Sequence, residues 1–343
     1  MGAGRIRLGL IGCGGIVRSV HARAYLAASD AATVVAIADP DAEGRAAAAT
    51  LLAVPADGSY ENCEDMLAGV DLDAVCIATP HHLHRQHAVA AASAGVDIIS
   101  EKPMSATLEE ADAIIAAVRA AGVRYTVVHN LLWSNAMREG IRLARGEQFG
   151  DVTWGRAQSV FRKAEGLDAR DWRATRSAGG GCAIDTAYHE IYCVEALVGS
   201  PVARVEGRVR TVKFDIDVDD LALMLLEHED GSVSTVTSTW CAPSFGTEAG
   251  RWCEVHGTRS SVRVYHRDSD PLHVATAAGG WQATPLASAD DPMGHIAFFG
   301  AAFAALRSGD ALPVTMSDAR RNLAIIEAAR EATAARKAVE VGK

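Results

Sequence analysis

A chain of 343 residues, 49% apolar and 22% charged, has globular composition and, at roughly 150 residues per domain, length for two domains, which excludes disorder as a whole-chain description. Its 33 Lys and Arg against 43 Asp and Glu leave a net charge of −10, so small polar substrates are expected and nucleic acid and anionic membranes are not. Seven cysteines, an odd number with no C-x-x-C spacing, read as the reduced thiols of a cytoplasmic protein and speak against a disulfide framework or a zinc knuckle.

The start lacks the apolar core of a signal peptide, because Leu8–Ile11 is cut by Gly9 and followed by glycines. No segment approaches the roughly 20 apolar residues that span a bilayer. From Arg7 to about Val128, short β-branched runs alternate with longer Ala-rich runs of helical period, the pattern of βαβ units around a buried parallel sheet. Strands are expected at Leu8–Ile11, Val34–Ala38, Ala74–Ala78, Asp97–Ser100 and Tyr125–Val128. Helices are expected near Ile16–Ala28, Asp41–Leu52, His84–Ala94 and Leu108–Ala121, with Gly95 and Gly122 just past two of them, where a left-handed residue closes the last turn.

After Asn130 the pattern changes and a second domain begins. A helix is expected at Asn135–Arg145 and a strand at Val152–Arg162, followed by a loop at Gly179–Gly181 that opens a helix running to about Leu197. From Val202 to about Val274 apolar and polar residues alternate, as in Leu221–Leu226 and Val233–Thr239, with turns such as Glu229-Asp230-Gly231; this reads as a half-buried antiparallel meander. Helices at Met293–Arg307 and Ser317–Arg336 close the chain, the second entered through Pro313 and capped by Ser317.

Four motifs carry chemistry. The first strand runs into Gly12-Cys13-Gly14-Gly15-Ile16-Val17, a G-x-G-x-x-(G) turn between strand and helix, and the second strand ends in Asp39 at about the 20-residue spacing of a dinucleotide site. Gly12 permits the tight turn, Gly14 lets backbone N–H groups approach a pyrophosphate, and the helix N-terminus favours its charge. Val17 stands where a third glycine is usual, so helix and strand need a compensating shift. Asp39 suits a ribose 2′-hydroxyl and, with Asp41, repels a 2′-phosphate, which favours NAD; Arg45, one turn into the next helix, keeps NADP open. Ala78-Thr79-Pro80 and Glu101-Lys102-Pro103 each begin where a parallel strand ends, on the edge where ligands collect in open α/β sheets. In Gly179-Gly180-Gly181-Cys182-Ala183-Ile184-Asp185-Thr186-Ala187-Tyr188-His189 the acid and the histidine are four apart and share a helix face, an arrangement suited to a general base. His81, His82, His84 and His87 fan over different helix faces, which argues against a metal site there, and no Gly-x-Ser-x-Gly elbow occurs.

Taken together and in order, the glycine turn, Thr79-Pro80 with His84, Glu101-Lys102-Pro103, Asn130, Trp172-Arg173, the glycine triplet and the Asp185/His189 pair resemble the Gfo/Idh/MocA family of oxidoreductases over essentially the whole chain. The resemblance implies an α/β fold: an N-terminal Rossmann domain with a doubly wound parallel sheet, placed at 1–126, and a C-terminal α/β domain with a large open, mostly antiparallel sheet, placed at 127–343. It also implies that the open sheet makes homodimer or homotetramer contacts, that the Lys102-Pro103 bond can be cis, and that Lys102, Asp185 and His189 form the catalytic group.

The expected function is then an NAD(P)-dependent dehydrogenase acting on a secondary hydroxyl, or the matching ketone, of a sugar, inositol or related polyol. Gly12, Gly14, Gly15, Ile16, Asp39, Thr79, Pro80, His84, Glu101 and Lys102 are the expected cofactor residues; Asn130, Trp172, Arg173, Asp185 and His189 are expected to line the substrate cleft. Specificity is expected in the loops Leu131–Asn135, Lys163–Arg176 and Thr239–Arg251. Two alternatives remain open: an NAD-dependent glycosidase working by transient oxidation, and a nicotinamide-binding sensor that has no use for a proton-transfer set.

Overall fold

The structure, a computed structural model, describes residues 4–163, 167, 171–243, 250–266, 271–286 and 291–342. Its contacts divide it into two compact units, Met1–Val128 with His295–Arg320 and His129–Gly294 with Arg321–Lys343.

In the first unit six strands, β1 (Ile6–Ile11), β2 (Ala32–Ala38), β3 (Ser59–Tyr60), β4 (Ala74–Ile77), β5 (Asp97–Ser100) and β6 (Tyr125–Val127), form a parallel sheet of order 3-2-1-4-5-6. The order reverses between β1 and β4, the switch point at which such sheets bind ligands. Five helices, α1 (Ala22–Ala27), α2 (Ala42–Leu52), α3 (Cys63–Gly69), α4 (His84–Ser93) and α5 (Leu108–Ala121), fall between the strands. Their ends obey local chemistry: Thr107 Oγ1 accepts from the Glu110 N–H at 3.2 Å, Asp41 from the Glu43 N–H, and Gly95 and Gly122 close helices at φ +74° and +69°.

Two departures from expectation have physical causes. The helix after the glycine turn is widened to π pitch over Val17–His21 before α1 begins. The widened turn starts at the fully buried Val17, the residue that replaces the usual third glycine and needs room against the sheet. The β3 and α3 pair was not expected: a strand of two residues is too short to show a period, although Asn62, accepting from the Asp65 N–H at 2.8 Å, is a recognisable cap.

The second unit opens with α6 (Asn135–Ala144), whose Ser134 cap accepts from the Met137 N–H. It continues through β7 (Val152–Val160), a π turn at Ala183–Ala187 and α7 (Tyr188–Val198). Seven strands follow: β8 (Val202–Arg210), β9 (Leu221–His228), β10 (Val233–Thr239), β11 (Arg251–Gly257), β12 (Ser260–Tyr265), β13 (Leu272–Thr276) and β14 (Gly280–Ala283). The large, mostly antiparallel sheet is present, but it is not the uninterrupted meander expected from Val202 onward. β7 lies between β10 and β11 and runs parallel to β10. Alternation assigns each strand its two faces; it carries no information on which strand lies beside it. One face packs on α7, closely enough that a Cβ at Gly155 would stand 3.0 Å from Val198 and 3.1 Å from Val194. On the other, Leu223 and Leu225 are 41% and 40% exposed.

Within the first unit α8 (His295–Ser308) is held by Arg124, which pairs with Asp97 at 2.6 Å and donates to the carbonyl oxygens of Ala305 and Leu306 at the helix end. Helix α9 (Met316–Ala335) begins one residue earlier than expected, and its cap is Thr315 rather than Ser317. Thr315 Oγ1 accepts from the Asp318 N–H at 3.1 Å and donates to the Asp318 carboxylate, a reciprocal cap for which Ser317 lies too far into the helix. The short β15 (Val339–Glu340) pairs with β8, and no described helix is long and apolar enough to cross a membrane.

Candidate active site

The ends of β1, β2, β4 and β5 bring the expected cofactor residues of the first unit to one sheet edge. Gly12 has φ +95°, and a Cβ there would lie 2.8 Å from the carbonyl carbon and oxygen of Ala78, so the turn after β1 is pressed against the end of β4. Gly14 and Gly15 are exposed, and a Cβ on either would meet nothing within 4 Å, which leaves their backbone open to a pyrophosphate. Ile16 beside them is 37% exposed. Asp39 is fixed from two sides: the Cys13 N–H donates to Oδ2 at 2.6 Å and the Asp41 N–H to Oδ1 at 2.8 Å. Arg45 donates to the Asp39 carbonyl oxygen, which tethers its guanidinium to the end of β2. An open glycine backbone with an oriented carboxylate at the next strand end fits an adenine dinucleotide.

Around Lys102 the structure is tightly braced. The Lys102-Pro103 peptide is cis. Glu101 lies buried behind it, with Oε1 2.7 Å from His21 Nε2 and Oε2 accepting from the Lys102 N–H at 3.0 Å. Burial pushes the Glu101 carboxyl up, but the His21 hydrogen bond and the charges of His21, Lys102 and His295 outweigh it and lower the pKa to about 2. His21 is fully buried and packs edge-on against Phe299 at 4.9 Å and Tyr25 at 5.9 Å. His84 is fully buried too, its ring nitrogens 2.9 Å from the Thr79 carbonyl oxygen and 2.8 Å from that of Pro103. Burial lowers its pKa against the pull of these two carbonyls. His84 thus ties the β4 and β5 ends together and does not present its ring at the surface. Thr79 and Pro80 are half-buried at the same edge, with Thr79 Oγ1 3.2 Å from His87 Nδ1.

In the second unit the glycine triplet serves close packing. The Gly181 N–H donates to the Arg173 carbonyl oxygen at 2.9 Å, and at φ +119° a Cβ on Gly181 would lie 2.7 Å from Asp219 Oδ1. The Asp219 carboxylate accepts from the Ala183 N–H at 2.6 Å and so caps the π turn that carries Asp185. From residue 181 to 194 every side chain is buried except Asp185 and His189, which share the accessible stripe anticipated from their spacing. Asp185 pairs with Lys163 Nζ and Arg173 Nε, each at 3.6 Å. His189 Nδ1 is 2.7 Å from the Tyr192 hydroxyl, and Tyr192 stacks on His129 at 4.3 Å. Burial holds the Tyr192 phenol neutral by pushing its pKa well above 10.0.

Lys163 and Tyr192 are the neighbours that sequence reading missed. Lys163 sits 3.8 Å over the Trp240 ring, and burial lowers its pKa against the attraction of Asp185. Its only sequence signal was its place at the head of the Lys163–Arg176 loop. Trp172 and Arg173 are half-buried and stacked on each other at 4.3 Å. Asn130 is 3% exposed, and its amide donates to the Met293 carbonyl oxygen at 2.7 Å, a brace within the second unit. Of the expected specificity loops, residues 164–166, 168–170 and 244–249 lie outside those described.

Comparison with known proteins agrees with this geometry. Residues 6–129 match the family described as "Oxidoreductase family, NAD-binding Rossmann fold", and residues 137–263 match the GFO/IDH/MocA C-terminal domain. D-apiose dehydrogenase of Paraburkholderia graminis is 29% identical over 94% of this chain and 86% of its own length. The rhizopine catabolism protein MocA of Rhizobium meliloti is 32% identical over 74% of this chain and 76% of its own. A structure of levoglucosan dehydrogenase in complex with NADH and levoglucosan superposes with a TM-score of 0.90 and 26% identity, covering 99% of this chain and 100% of that one. The protein is an NAD(P)-dependent oxidoreductase and belongs to the Gfo/Idh/MocA family.

Proposed function

We propose that this protein oxidises a secondary hydroxyl of a sugar, cyclic polyol or related derivative, or reduces the corresponding ketone. The observation that carries the reading is the accessible stripe of Asp185 and His189 on an otherwise buried helical segment, together with a braced lysine at the cofactor edge of the parallel sheet. When bound, the nicotinamide supplies the hydride acceptor or donor. Gly12 shapes the turn, the backbone N–H groups of Gly14 to Ile16 hold the pyrophosphate, and Asp39 accepts from the ribose hydroxyls, which favours NAD over NADP. Thr79, Pro80 and the Glu101-Lys102 segment form the wall of that edge.

The Lys102 ammonium binds the substrate hydroxyl oxygen and stabilises its developing negative charge. His189 takes the hydroxyl proton on Nε2, in the tautomer whose Nδ1–H donates to the Tyr192 hydroxyl 2.7 Å away. Asp185, neutralised by Lys163 and Arg173, accepts from a neighbouring hydroxyl, and Trp172 offers an apolar ring face to the sugar. The named activities of the apiose and levoglucosan dehydrogenases support this substrate class.

The test is NADH formation across a panel of inositols and aldoses, with NADP in parallel. Lys102→Ala and His189→Ala are each expected to lower kcat by about 10²–10⁴; wild-type kcat in Lys102→Ala refutes the assignment. We also propose a cytoplasmic homodimer or homotetramer formed through the open sheet face, where Trp154, Leu223, Leu225, Val233 and Trp281 are exposed. A monomer in light scattering at micromolar concentration refutes that state.

A further inference from the structure

One turn beyond His189 on α7, and on the side turned to the sheet, Cys193 meets Cys253 of β11 and His266, the residue after β12. All three are buried, at 0%, 0% and 3% exposure. Cys253 Sγ lies 3.5 Å from His266 Nε2, and the three donor atoms are all within 4.8 Å of one another. The β11–β12 pairing fixes two of them: Cys253 is in register with Val264, and the His266 N–H donates to the Arg251 carbonyl oxygen at 3.1 Å. Close packing of α7 on β11 fixes the third.

We propose that Cys193, Cys253 and His266 form a structural site for a thiophilic divalent cation of the zinc class. With metal–sulfur bonds of about 2.3 Å and a metal–nitrogen bond of about 2.0 Å, a tetrahedral ion spaces sulfur and nitrogen by about 3.5 Å, the separation that Cys253 and His266 already have. Glu190, fully buried and three residues before Cys193 on the same helix, adds a negative charge that acts on the Cys193 thiol. Binding releases the two thiol protons. Two thiolates, the Glu190 carboxylate, the nearby Arg251 guanidinium and the dication then sum to neutrality, which a buried site requires. The second histidine and carboxylate cluster, His21, Glu101 and His295, differs: its 2.7 Å histidine–carboxylate contact is a direct hydrogen bond with no room for an ion between the two.

The test is the metal content of the full-length protein, purified under reducing conditions after growth with zinc and passed over a desalting column. The expected result is close to one zinc per chain, lost in Cys193→Ala, Cys253→Ala and His266→Ala but kept in Cys63→Ala. Cobalt(II) added to the metal-stripped wild type should give intense sulfur-to-cobalt charge-transfer absorption in the near ultraviolet. Both readouts on the wild type are independent of catalysis and of whether a variant folds. Zinc-free protein that takes up neither zinc nor cobalt overturns the proposal, as does zinc retained in the Cys193 and Cys253 variants. An intact mass showing the two thiols joined as a disulfide in freshly isolated protein overturns it as well.

Discussion

Replacing His21 by Phe keeps the ring volume but removes the partner of a buried carboxylate. In the native protein the Glu101 pKa falls from 4.5 to about 2 through its hydrogen bond to His21 and the charges of His21, Lys102 and His295, despite burial. At about 1.4 kcal/mol per unit this shift amounts to about 3 kcal/mol of stability, in line with the roughly 3–5 kcal/mol lost when one member of a buried pair is deleted. The sign follows from the depressed carboxylate: the contribution is fully present above pH 4.5 and disappears as pH falls toward 2. His21→Phe should therefore lose about 3 kcal/mol in urea unfolding near neutral pH, and the gap to wild type should narrow as pH falls through that window. Because Glu101 Oε2 also holds the Lys102 N–H, kcat should drop, with KM for the cofactor changing less. Equal urea midpoints for the two proteins, or a gap of constant size down to the acid limit of folding, would refute the reasoning.

Asp39→Ala should lower kcat/KM for NAD by about 10–100-fold, the loss of a charged hydrogen-bond acceptor, and bring NADP to parity or better with Arg45 at hand; an unchanged NAD:NADP ratio contradicts the role of Asp39. Gly12→Ala places a Cβ 2.8 Å from Ala78 at φ +95°, so thermal unfolding should report about 1–3 kcal/mol lost and isothermal titration weaker NAD binding; a wild-type melting curve contradicts the close approach of the β1 and β4 ends. Burial, with the charges of His84 and His82, lowers the His87 pKa from 6.5 to about 4, so stability is present above pH 6.5 and declines as pH falls toward 4. His87→Gln should flatten that decline, and an identical pH profile would remove the burial argument.

Local chemistry made much of this protein readable before any coordinates. The bounds of β5 follow from a short β-branched run and the end of α5 from Gly122, signals that lie in or beside the element they mark. The glycine turn with Asp39 announces a dinucleotide site because the tight turn and the acid are properties of strand ends, and the spacing of Asp185 and His189 is enough to put both on one stripe. His84 shows the limit: its position in the sequence suggests a place near the cofactor, and only the fold shows its ring buried with its nitrogens 2.8 and 2.9 Å from the carbonyl oxygens of Pro103 and Thr79.

Much of what needed the tertiary structure joins residues far apart in the chain. The insertion of β7 between β10 and β11, the His21 and Glu101 pair 80 residues apart, Lys163 beside Asp185, and the convergence of Cys193, Cys253 and His266 leave no mark on hydrophobic period or capping. Periodicity and caps record how each segment meets solvent and its own backbone hydrogen bonds. Which segment it packs against is decided by side-chain fit and charge pairing across the fold, energies that exist only once the chain has closed on itself.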